Sequence, residues 1–136
     1  MTAPETLALP AALRRQMLEH ALAAPGEEVC GLVGGRRGTL LHYYPVANDA
    51  PDRARRFFMN PAEQVDAMRR MRAGGEELMG IFHSHPLAPA EPSAMDLELA
   101  AYPGTVYFIA SLAGSAPEFK AYRYDGAAFA PLLLRP

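Results

Sequence analysis

Two histidines, His83 and His85, close a mostly apolar run that begins at Glu77. That run, with Leu78, Met79, Ile81 and Phe82, reads as a β-strand. Side chains alternate along a strand, so residues i and i+2 leave the same face. The two imidazoles therefore project together, close enough to chelate one ion. Neutral imidazole suits Zn²⁺, Cu²⁺ or Ni²⁺, of which Zn²⁺ is the common catalytic choice. A catalytic zinc needs a third protein ligand and an open position. Asp96, near the start of the next helical stretch, is a candidate for that third ligand. The same residues have structural readings. A His-x-His pair on a strand is often an ordinary part of a sheet. Ser93-x-x-Asp96 also spells a capping box, with Ser93 as N-cap and the acid at the third helical position. Cap and ligand can coexist, because both roles place these side chains at a helix mouth.

The elements that must position this cluster follow from spacing and punctuation. Leu9 to Ala24 reads as an amphipathic helix with Leu13, Met17, Ala21 and Leu22 on one face, stopped by Pro25-Gly26. Glu28 to Val33 and Thr39 to Val46 read as strands joined by Gly34-Gly35-Arg36-Arg37-Gly38 in a hairpin. Ala47 to Arg56 is polar and reads as an exposed, mobile loop. Phe57 to Met59 is a brief strand candidate. Asn60-Pro61 opens a helix to about Ala73, with Val65, Met68 and Met71 or Arg72 inward. After the strand Glu77 to His85 come a proline-rich, rigid loop (Pro86 to Pro92) and a short helix (Ser93 to Tyr102). Thr105 to Leu112 and Phe119 to Tyr124 form a hairpin, and Ala127 to Leu134 a last edge strand. The order predicts an α/β domain with a mixed sheet.

Composition bounds the function. The 136 residues are one domain's worth. With 13 Lys and Arg against 15 Asp and Glu, the net charge of −2 supplies no basic field for nucleic acid or anionic membranes. The single cysteine, Cys30, excludes an internal disulfide and the Cys-rich zinc modules. The N-terminal stretch has an acid where a signal peptide carries positive charge, and no apolar run reaches the 18 residues of a membrane span. The expectation is a soluble cytoplasmic protein.

The segment His83-Ser84-His85-Pro86, continued by Pro92-Ser93-Ala94-Met95-Asp96, resembles the JAMM (MPN+) metalloprotease motif. Glu28-Val29-Cys30-Gly31 resembles that family's upstream Glu-x-x-Gly segment, whose register selects Glu28 over the adjacent Glu27. Phe58-x-Asn60-Pro61 and Gly80-Ile81-Phe82 agree as well, and the likeness spans nearly all of the chain. The resemblance implies a single MPN (cytidine-deaminase-like) domain over residues 1–136, a stand-alone catalytic domain of prokaryotic type. It implies a zinc held by His83, His85 and Asp96 with a water in the fourth position. It implies Glu28 as general base and Ser93 as hydrogen-bond donor to the oxyanion. It further implies cleavage of peptide or isopeptide bonds after the C-terminal Gly-Gly of a ubiquitin-like or sulfur-carrier protein. The partner would be a small β-grasp protein whose tail adds as a strand to a sheet edge. Ala47–Arg56 and Pro86–Pro92 are candidate groove walls, and Arg53, Arg55 and Arg56 candidate partner contacts.

Other classes compete. A non-catalytic MPN-type scaffold would only bind partners, and such domains usually lack motif residues that are all present here. A zinc nucleobase deaminase needs His-x-Glu and Pro-Cys-x-x-Cys, which one cysteine cannot supply. A repair-associated relative would carry Asn where Ser84 stands. Cys30 could be a thiol nucleophile or a small buried strand residue. His20 and His42 read as surface or satisfied residues, and Met17, Met68, Met71 and Met79 as core or helix-face residues.

Overall fold

The computed structural model describes residues 4–136. Among them, seven strands form one mixed sheet in the order β1-β7-β6-β5-β4-β2-β3, with three helices around it. In chain order these are β1 (Thr6–Ala8), α1 (Ala11–Ala23), β2 (Cys30–Arg36), β3 (Thr39–Val46), α2 (Pro61–Ala73), β4 (Glu77–His85), α3 (Ala94–Leu99), β5 (Val106–Ser111), β6 (Glu118–Tyr124) and β7 (Phe129–Arg135). No helix among the described residues is long and apolar enough to cross a membrane.

The expected α/β architecture with a mixed sheet is observed. β4 occupies the middle, antiparallel to β2 and parallel to β5. Both faces of β4 are covered, which fits its unbroken buried run from Gly80 to His85. On one face Phe82 packs with Leu13, Met17 and Ala21 of α1 and with Phe108 and Phe119. On the other, Ile81 packs with Ala67 and Met71 of α2 and with Leu32 and Tyr107. The alternation that puts Ile81 toward α2 carries His83 and His85 to that same side.

Several local expectations are corrected. Gly34, Gly35 and Arg36 belong to β2, with a register shift at Gly34/Gly35, so only Arg37-Gly38 makes the hairpin turn. Both residues have positive φ, 53° and 79°, as a two-residue turn with the twist of its flanking strands requires. Val65 is 54% exposed, while α2 turns Ala67 and Met71 inward, one helical turn apart, with Met68 packed against the same cluster as expected. Phe57 to Met59 is no strand; one bridge joins Met59 to Asn48. α3 stops at Leu99, short of Tyr102. β7 is not an edge, because β1 pairs parallel to its outer side. His20 and His42 are satisfied, by the Tyr43 hydroxyl at 2.7 Å and the Glu76 carboxylate at 2.8 Å.

Candidate active site

His83 and His85 end β4, where it points toward the N-terminus of α3. Asn60 and Ser93 cap α2 and α3 as the sequence predicts. The Ser93 hydroxyl accepts the Asp96 N–H at 3.0 Å, and Asp96 Oδ2 accepts the Ser93 N–H at 2.8 Å. This reciprocal cap fixes the Asp96 carboxylate. The carboxylate then faces the two imidazoles: His83 Nε2 and His85 Nε2 each stand 3.1 Å from Asp96 Oδ2 and 3.1 Å from one another. Glu28 joins them, one donor atom from each of the four residues lying within 4.8 Å of the rest. The structure thus brings Glu28, His83, His85 and Asp96 together, with Ser93 at the rim as helix cap.

The donor set fits a divalent cation. His85 Nδ1 donates to the Pro89 carbonyl at 2.8 Å, so the neutral ring keeps its Nε2 lone pair facing Asp96 and His83. Donors at ~2.0–2.1 Å from a tetrahedral ion stand about 3.3 Å apart, close to the triangle observed. His83 Nδ1 and Glu28 Oε1 are buried without a hydrogen-bond partner among the described residues. The His83 ring is oriented by stacking instead: Phe57 lies over it at 4.6 Å between centroids and 24° between planes. Burial alone would raise the Asp96 carboxyl, but the two imidazoles beside it and the Ser93 N–H hold it well below the usual carboxylate range. Burial pushes the Glu28 carboxyl up to about 7.

Glu28 stands just before β2 begins, so ladder pairing does not hold it. Its neighbours do. The Ser84 hydroxyl accepts the Val29 N–H at 2.9 Å and donates to the Glu27 carbonyl at 3.3 Å, while Ser84 N–H donates to the Val29 carbonyl. Ser84 points away from its flanking histidines and braces the segment that carries the fourth group. Replacing Ser84 by Ala leaves a buried N–H and a carbonyl unpaired, a cost of about 1–3 kcal/mol. Chemical unfolding should read that as a lower urea midpoint at unchanged slope.

The Prok-JAB family, described as prokaryotic homologs of the JAB domain, matches residues 10–125. The chain belongs to this family. As a JAB domain, it has the MPN architecture that the sequence implies. It is similar to a desampylase of Haloferax volcanii, 35% identical over 111 residues covering 77% of this chain and 80% of that one. It is also similar to a CysO-cysteine peptidase of Mycobacterium tuberculosis, 31% identical over 126 residues covering 89% and 85%. A solution structure of a Desulfitobacterium hafniense protein superposes with a TM-score of 0.79 at 38% identity, covering 95% and 92%.

Within this JAB domain an apolar cavity of about 280 Å³ opens beside His83 and Asp96, lined by Phe57, Met59, Met95, Leu99 and Tyr107 among others. Arg56 alone of Ala47–Arg56 reaches it, and Pro86–Pro92 does not. The proline loop instead holds the site from behind. Ser111 Oγ donates to the Ala88 carbonyl and Tyr122 to that of Ala90, both at 2.6 Å. Cys30 is fully buried, its thiol donating to the Val46 carbonyl, and burial with nearby carboxylates pushes its pKa to about 12. Sequence reasoning missed Phe57 and Asn48. Asn48 had one legible signal, since Asn opening a polar loop readily accepts the N–H two residues on.

Proposed function

We propose that this chain is a zinc-dependent peptidase or isopeptidase. It would cleave after the C-terminal Gly-Gly of a ubiquitin-like or sulfur-carrier protein. The convergence of two imidazoles, a capped carboxylate and a buried, unpartnered Glu28 on one point carries this reading. The names of the relatives, desampylase and CysO-cysteine peptidase, support the substrate class.

His83, His85 and Asp96 would hold the ion. When bound, zinc supplies Lewis acidity and lowers the pKa of water to about 7. Glu28 takes the proton of the attacking water and delivers it to the leaving amine. Burial, which raises the Glu28 carboxyl, favours its carrying the proton from one step to the next. Ser93 accepts the Asp96 N–H through its oxygen, which leaves its hydroxyl proton to donate to the oxyanion. The apolar cavity takes the tail residues that precede the scissile bond and keeps water from the site. These residues together favour a catalyst over a scaffold that only binds.

The test is incubation with ubiquitin-like carriers bearing extensions after Gly-Gly, with products read by mass. Cleavage after Gly-Gly that stops with a chelator and survives Cys30→Ala is expected. Chelator-resistant cleavage lost in Cys30→Ala would return the thiol mechanism. No cleavage of any carrier by metal-loaded protein would overturn the reading.

A further inference from the structure

The loop between β3 and α2 is long, polar and largely exposed, yet it is not free. Asn48 can make four side-chain hydrogen bonds, two through its NH₂ and two through its oxygen. It makes all four. Nδ2 donates to the Glu28 carbonyl at 2.8 Å and to the Arg56 carbonyl at 3.0 Å. Oδ1 accepts the N–H groups of Ala50 at 2.9 Å and Phe58 at 3.0 Å. Two carbonyls on one side and two N–H groups on the other permit only this orientation of the amide. The loop also takes the other backbone group of Glu28, whose N–H donates to the Arg53 carbonyl at 2.6 Å. Both backbone groups of Glu28 thus belong to this loop, and Arg56 and Phe58, tied by the same amide, line the cavity.

We infer that Asn48 is a positioning residue that holds Glu28 against the His83–His85–Asp96 cluster and locks it to the cavity wall. The inference rests on the proposed role of Glu28 as base. A misplacement of about 1 Å at a reacting group can cost roughly 10²-fold in rate. Asn48→Asp isolates the effect. It keeps the acceptor for Ala50 and Phe58 but sets a carboxylate against the two carbonyls. Asn48→Ala, which removes the donors without adding charge, is measured beside it.

With a cleavable carrier and zinc-loaded protein, either variant should lower kcat roughly 10–100-fold and leave KM within about threefold. Bound zinc per chain should not change. Hydrogen exchange by NMR should quicken at the Glu28 amide while the β2–β4 ladder keeps its protection. Wild-type kcat in both variants while Glu28→Gln is inactive overturns the inference alone. So does unchanged exchange at Glu28, or a fall in kcat matched by lost zinc or lost folded protein. Full activity in Glu28→Gln removes the base assignment, and this inference with it.

Discussion

Replacing Glu28 by Gln should lower kcat by about 10²–10⁴-fold, the usual worth of a positioned general base. The amide is the same size and cannot take a proton. Little else should suffer, because Glu28 Oε1 has no hydrogen-bond partner to lose among the described residues. Glu28 is only 5% exposed, and its burial disfavours the carboxylate strongly enough to raise its pKa to about 7. Exchanging it for a neutral group relieves that desolvation, so the unfolding midpoint should hold or rise. Activity and stability would move in opposite directions, as at sites that store strain for function. Metal analysis should still find zinc, because the two histidines and Asp96 are untouched. Full turnover in this variant would remove Glu28 from the reaction.

Asp96→Asn should be as damaging by a different route. Asp96 has two roles at one atom: Oδ2 closes the cap of α3 and faces both imidazoles. Asn keeps an oxygen for the Ser93 N–H, and the bond from the Asp96 N–H to Ser93 Oγ does not involve the side chain. The helix should therefore persist, visible as retained protection of its amides. The negative charge is gone, and zinc should fall from about one per chain to near zero after dialysis, with cleavage lost in parallel. Zinc retained at full occupancy with normal turnover would reduce Asp96 to a helix cap.

Much of this site was legible because its parts obey short-range rules. Alternation along Glu77–His85 set both imidazoles on one face, and the Ser93-x-x-Asp96 spacing specified a cap that forms as written. Glu28 came from resemblance alone, since an acid before a strand has no local signature. The misreadings share a cause. Phe57 looked like a strand residue because it is aromatic and apolar, but its place is set by a ring 26 positions later in the chain. The loop from Ala47 to Arg56 is exposed, as its polarity implies. What polarity does not announce is an amide whose four partners are spread from residue 28 to residue 58. Val65 reads as a core residue until the sheet fixes which side of α2 turns inward. β1, three residues long, is too short to announce itself, and only its pairing with β7 makes it a strand.

The parallel pairing of β4 with β5 has a consequence for the order in which the molecule assembles. Antiparallel neighbours can zip from a turn, as β2–β3 and β5–β6–β7 can, but a parallel pair must wait for its crossover to close. Here the crossover is the stretch that contains α3, and therefore Asp96. A partly folded chain that holds only its hairpins has neither β4 docked beside β5 nor the carboxylate delivered over its end. The four groups meet only when this crossover has closed and β2, which follows Glu28, has also paired with β4. Nascent chains would therefore be hydrolytically silent, and the appearance of turnover during refolding would time the closure of the sheet.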